Sequence, residues 1–270
     1  MRSNSLQALF ADGLTTVNGW LSCDSAYLAE AMSVSGFDSI TVDVQHGMFG
    51  MGGAIRLLQG ISAGPAVPMA RCPSHDPAVI GKLLDAGADG IICPAVDTAE
   101  QARAFVSACR FPPTGIRSYG PARAALHGDP GYVRHADATV LTWAMVESAT
   151  SLANLDEILS VPGLDGIYLG PNDLALSLGE APGPVISAAA VQAAIGRVLA
   201  AAHAAGKVTG LFCADIADAR RWGEAGFDLV TPGNDIGILR AALAERIAAV
   251  RGDSAASEAA FEAASQADQR

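Results

Sequence analysis

The sequence predicts a single (β/α)₈ TIM barrel, and three observations predict it. Four segments share one grammar of glycine, one residue, aspartate and then an apolar run: Gly36-Phe-Asp-Ser-Ile-Thr-Val-Asp43, Gly87-Ala-Asp-Gly-Ile-Ile-Cys-Pro94, Gly163-Leu-Asp-Gly-Ile-Tyr-Leu-Gly170 and Gly226-Phe-Asp-Leu-Val-Thr-Pro-Gly233. The glycine ends a helix, the aspartate caps the turn, and the run that follows is apolar on both faces, as parallel strands are. Between these segments four more strands are visible, at Thr15–Ser22, Val67–Arg71, Val140–Glu147 and Val208–Cys213. Amphipathic stretches separate them, among them Asp97–Arg110 with its acidic start and basic end. Eight βα units within 270 residues make one barrel.

Domain limits follow from the same rhythm. Residues 1–252 form the barrel, and residues 253–270, small and polar with few apolar anchors, read as a disordered C-terminal tail. One connection is long, from Phe111 to about Asp137, and long loops of this kind are usually functional.

Composition narrows the function. Half the residues are hydrophobic and the mean hydropathy is +0.30, which excludes a disordered chain. No apolar run approaches the roughly 20 residues that span a bilayer. A net charge of −11 argues against nucleic acid and anionic membranes as partners, because grip on phosphate comes from clustered Lys and Arg. Five scattered cysteines without a C-x-x-C pair suit buried reduced thiols. With no secretory core in the opening residues, a cytoplasmic location is expected.

In a barrel the chemistry stands at the C-terminal ends of the strands. The polar residues expected there are Asp43 and His46 after strand two, Arg71 ending strand three, Glu147 ending strand five, and Asn172 and Asp173 past strand six. Glu147 and Asp173 would bring two carboxylates to one cavity without a basic neighbour in sequence, and a divalent cation with hard oxygen ligands answers that need. The plainer alternatives are a solvated Glu and an Asp capping the helix that begins at Leu174. Arg71 could bind a carboxylate or meet developing oxyanion charge, and His46 could serve as general base. Trp20 and Phe212 are aromatic candidates for the cavity wall, although a core role serves Trp20 equally well. His75, His127, His135 and His203 lack a rim address and read as structural. Only Lys82 and Lys207 exist, neither at the barrel mouth, so imine chemistry is not expected. Nucleotide phosphates have no glycine-rich cradle.

Taken together, Phe37–Gly47, Pro68-Met-Ala-Arg71, Leu83-Leu-Asp-Ala-Gly-Ala88, Arg110–Ser118, Val146-Glu147 and Gly166–Leu174 resemble the HpcH/HpaI aldolases, metal-dependent class II pyruvate aldolases, over roughly residues 15 to 250. The resemblance implies that Glu147 and Asp173 hold Mg²⁺, Mn²⁺ or Co²⁺, that His46 is the base, and that Arg71 stabilises a pyruvate enolate; Asp43, three residues before His46, is also counted among the catalytic residues. It implies that Asp85 raises the basicity of His46, that Gly170, Pro171, Asn172 and Asp173 meet the substrate, and that Arg123 stands near the aldehyde. It also implies a trimer or hexamer with the last helix swapped between neighbours.

The expected reaction is reversible cleavage of a 4-hydroxy-2-keto acid to pyruvate, or a close 2-oxo acid such as hydroxypyruvate, and an aldehyde. The chain departs from the family's best-known member at Gln45, where that member has Glu, and at Met145, where it has a substrate-binding Gln. Two alternatives are a citrate-lyase β-subunit-like acyl-CoA lyase, which would need a basic groove that the sequence does not show, and a non-catalytic keto-acid-binding barrel.

Overall fold

The computed structural model describes residues 4–127 and 131–252. Eight parallel strands close into a barrel in sequence order. They are β1 (Thr16–Leu21), β2 (Ser39–Asp43), β3 (Val67–Arg71), β4 (Gly90–Cys93), β5 (Leu141–Val146), β6 (Gly166–Leu169), β7 (Val208–Cys213) and β8 (Leu229–Pro232). Thr16 of β1 pairs in register with Leu229 of β8, which seals the sheet. All eight strands stand where the glycine–aspartate grammar and the apolar runs place them. The expected tail at 253–270 lies outside the described residues.

The helices are α1 (Ser5–Ala11), α2 (Ala26–Ser33), α3 (Met51–Ile61), α4 (Pro77–Asp85), α5 (Ala99–Cys109), α6 (Ala122–His127), α7 (Tyr132–Thr139), α8 (Ala149–Ala153), α9 (Leu155–Leu159), α10 (Pro171–Ser177), α11 (Ala189–Ala204), α12 (Ile216–Glu224) and α13 (Asp235–Arg251). Side chains cap several of them at the mouth end. Ser25, Asp76 and Asp215 each accept an N–H of the first turn, and Thr98 forms a reciprocal capping box with Gln101. The long connection after α5 is not a bare loop, because α6 and α7 fold within it.

Alternation along each strand sorts the side chains into two cores. Ile40, Val42, Ala70, Ile91, Ala144 and Val146 face outward and pack under the helices. Trp20, Val67, Met69, Ile92, Leu141, Trp143, Met145, Tyr168 and Leu229 face inward. The interior is not wholly apolar. Asn18 donates to Thr231 at 2.9 Å and accepts from Ser39 and Thr41, and Tyr168 shares a 2.7 Å bond with Thr231. Each of these groups is fully buried and partnered, so the network does not carry the cost of orphaned polar atoms.

The N-terminal helix α1 was not expected. It closes the end of the barrel at which the strands begin, with Leu6 fully buried in the interior cluster and Phe10 edge-on to Trp143 at 5.9 Å. Asn4 caps it and donates to the carbonyls of Asp89 and Thr139, tying the helix to two chain segments at that end. Because Leu6 fills the barrel floor, Leu6→Ala should destabilise the fold by about 2–5 kcal/mol. Urea denaturation should show a lower midpoint with an unchanged slope.

Candidate active site

Strand parity decides which side chains reach the mouth. Asp43 continues the inward series Ser39, Thr41; Arg71 continues Val67, Met69; Glu147 continues Leu141, Trp143, Met145. Glu147 lies one residue beyond β5 rather than within it. These three side chains therefore converge at the C-terminal end of the barrel, where the turn to α10 also places Asp173.

Asp43 and Arg71 form a buried bidentate ion pair, with Nε donating to Oδ1 at 2.9 Å and Nη2 to Oδ2 at 2.7 Å. Trp20 adds a bond from its indole N–H to Oδ2 at 3.1 Å, while the guanidinium carbon lies 4.9 Å from the Trp20 ring centre. Backbone N–H groups of Gln45 and His46 donate to Oδ1, each at 3.1 Å. Burial alone would raise the Asp43 carboxyl, but the bonds and charge of Arg71, with those of Trp20 and His46, hold it below the usual carboxylate range.

Asp43, expected among the catalytic residues, thus has both oxygens occupied by donors. It aims Arg71, leaving Nη1 outside the pair, and anchors the turn that carries His46. Gly47 completes that turn, since a Cβ there would lie 2.2 Å from the Asp43 carbonyl. The His46 side chain is exposed at the rim.

Glu147 is partly buried, and Oε1 accepts the Ala95 N–H at 2.7 Å. Burial pushes its carboxyl above the usual range; the Ala95 bond pulls the other way, and the charge of Asp173 adds to the rise. Gly170 leaves room for the other oxygen, because a Cβ there would come within 2.5 Å of Oε2. The two carboxylates therefore share a site whose nearest guanidinium is committed to Asp43. That donor set fits a hard dication. Among the described residues no group of three or more His, Cys, Asp or Glu could hold a metal, so the remaining coordination positions would fall to water and substrate.

Other expected residues divide. Phe212 packs edge-on to Trp20 at 5.4 Å, and Trp20 itself is only 3% exposed, a floor rather than an open wall. Gly170 and Pro171 are buried at the start of α10, whereas Asn172 is exposed and its Oδ1 accepts the Gly183 N–H, so its side chain holds the following loop. Met145 is buried beneath Glu147, and Gln45 keeps a buried Oε1 without a partner among the described residues.

Asp85 and Arg123 stand apart from His46 within the single chain. Helix α4 runs antiparallel to the strands, so Asp85 at its end lies at the opposite end of the barrel from His46 within the chain. It pairs there with Arg117 at 3.0 Å, and Arg123 donates to the Ala86 carbonyl at 2.8 Å. His75 is the converse case. Read as remote, it stands at the rim, where Nε2–H donates to the Pro94 carbonyl at 2.6 Å. His203 is paired with Asp228, as a structural histidine would be.

Glu147→Gln should melt higher than the parent in metal-free buffer at pH 7, because the amide removes a desolvated charge beside Asp173. The sign follows from linkage: a carboxyl whose folded pKa is raised destabilises the fold as pH climbs above the unfolded value of 4.5. The gain should therefore shrink as pH is lowered toward that value, which melting curves across pH 4–7 would show. An equal gain at both ends of the range would contradict the assignment.

A family model for HpcH/HpaI aldolase/citrate lyase matches residues 17–242. A hydroxypyruvate/pyruvate aldolase of Rhizorhabdus wittichii is 42% identical over 92% of this chain and 99% of its own length. A 4-hydroxy-2-oxo-heptane-1,7-dioate aldolase of Salmonella arizonae is 35% identical over 87% of this chain and 90% of its own. The crystal structure of a HpcH/HpaI aldolase/citrate lyase family protein from Burkholderia cenocepacia superimposes with a TM-score of 0.86 at 33% identity, covering 92% of this chain and all of that one. With the barrel and the convergent mouth residues in place, the chain belongs to the HpcH/HpaI aldolase/citrate lyase family.

Proposed function

We propose that this chain is a divalent-metal-dependent class II aldolase that reversibly cleaves 4-hydroxy-2-oxo acids to an aldehyde and pyruvate or a close 2-oxo acid such as hydroxypyruvate. The observation that carries the reading is the pair Glu147 and Asp173, two neighbouring carboxylates at the mouth whose nearest guanidinium is already paired. A divalent cation, with Mg²⁺, Mn²⁺ and Co²⁺ the candidates, would be held by these two side chains and would polarise the 2-oxo group as a Lewis acid.

The chain's own residues supply the rest. Free N–H groups of Asn172 and Asp173 at the start of α10 would receive the substrate carboxylate, next to Gly170 and Pro171. His46 would take the proton from the C4 hydroxyl. As the C3–C4 bond breaks, its electron pair moves into the C2–C3 bond and charge grows on the 2-oxygen. Arg71, aimed by Asp43, would meet that charge. Protonation at C3 then gives the 2-oxo acid. Trp20, packed against Phe212, would give the cavity an aromatic floor, and Met145 would make it less polar than an amide would. Asp85 and Arg123 have no part in this scheme as the single chain stands.

A second proposal concerns assembly. On α13, Ile236, Ile238, Leu239, Leu243 and Ile247 are 38–51% exposed, which suits exchange of this helix between copies in a trimer or hexamer. No helix among the described residues is long and apolar enough to cross a membrane. The free thiols accord with a cytoplasmic location, and the partners proposed are small keto acids, aldehydes and copies of the chain rather than nucleic acid or membrane.

Chelator treatment and Glu147→Ala should each abolish release of aldehyde and 2-oxo acid from free 4-hydroxy-2-oxo acids. Turnover persisting in chelated protein would count against the metal. His46→Asn should lower kcat by about 10²–10⁴-fold with little change in metal affinity; an unchanged rate removes His46 from the role of base. Cleavage of malyl- or citramalyl-CoA in place of the free acids would favour the acyl-CoA lyase alternative.

A further inference from the structure

We propose that His75 is a positioning residue for Glu147, acting through the peptide unit between Pro94 and Ala95. The inference rests on the reading of Glu147 as a metal ligand and assigns it a support from a neighbouring βα unit. His75 lies in the short turn between β3 and α4, four residues beyond Arg71, and its side chain is half-buried.

One amide plane links the two side chains. Its oxygen, on Pro94, lies 2.6 Å from His75 Nε2, and its N–H, on Ala95, donates to Glu147 Oε1 at 2.7 Å. A carbonyl oxygen only accepts, so Nε2 carries the hydrogen. In a trans peptide the oxygen and the N–H point to opposite sides. Rotating this plane would exchange the donor facing Glu147 for an acceptor, and His75 holds the productive orientation. Donation to the carbonyl also polarises the amide, which strengthens the bond from its N–H.

The plane needs such a restraint. Ala95 has φ of 51°, and among the described residues it is the one non-glycine residue in the left-handed region. That conformation costs an alanine roughly 1–2 kcal/mol. Strained backbone persists where its surroundings over-determine it. Here His75 restrains the peptide on one side, and the Val96 N–H, donating to the Met145 carbonyl at 3.2 Å, restrains the chain on the other. The result is a carboxylate with Oε1 fixed and Oε2 left toward the space that Gly170 keeps open. The barrel mouth thus couples the ends of β3, β4 and β5 through hydrogen bonds that cross strand units.

The test is Mn²⁺ titration of metal-stripped full-length protein, read from the electron paramagnetic resonance signal of the free ion, with no catalytic readout. His75→Ala and His75→Phe, the latter keeping a ring without a donor, should each weaken Mn²⁺ binding about 10-fold or more, the size usual for groups that orient a ligand. His75→Gln, whose amide can donate to the same carbonyl, should recover most of the loss. Unchanged affinity in the Ala and Phe variants, with the parent binding normally, overturns the role of His75 and leaves the metal reading intact. Equal loss in the Gln variant overturns the hydrogen-bond route. A parent protein that binds no Mn²⁺ overturns the metal reading and this inference with it.

Discussion

The electrostatics of the barrel mouth depend on where one guanidinium is spent. Arg71 and Asp43 stand on adjacent strands, both on the inward parity, and the register pairs them directly. Their bidentate bonds neutralise each other in a buried setting, where breaking such a pair costs about 3–5 kcal/mol. Two consequences follow. Arg71 is held rigid and pointed, a condition for stabilising charge that develops during a reaction. It also leaves Glu147 and Asp173 without a committed cationic partner from this pair.

That imbalance is a departure from what a stable fold alone requires. A carboxylate with a raised pKa beside another carboxylate weakens the metal-free protein, and the neighbourhood is arranged to retain it rather than relieve it. Gly170 removes the atom that would displace Oε2, and Ala95 accepts a strained backbone to present its N–H to Oε1. Such local costs are characteristic of sites, and the fully partnered polar network deeper in the barrel shows the opposite arrangement, where every group is satisfied.

Strand positions were legible because the glycine–aspartate turns and apolar runs are local signals, and period-two alternation carries them to the mouth. Helix α1 carried a signal as well, in the Asn4 cap and the apolar spacing of Leu6, Leu9 and Phe10, which is easily passed over in so short a segment. The partners of Arg71 and Asp85 were not legible, since each pair joins residues about thirty positions apart through packing that no local pattern records. Topology alone does place Asp85 and His75. A residue ending a barrel helix lies at the start of the strands, and a residue just past a strand lies at the mouth. His75, to which the sequence reading gives no rim address, lies just past β3 and so at the mouth.

The central claim concerns what fills the space between Glu147 and Asp173. Crystals grown metal-free and then soaked in manganese, measured at the manganese absorption edge, test it most directly. The account predicts one anomalous peak within bonding distance of both carboxylates. A mouth without that peak, with the two acidic side chains turned out to solvent, would contradict it.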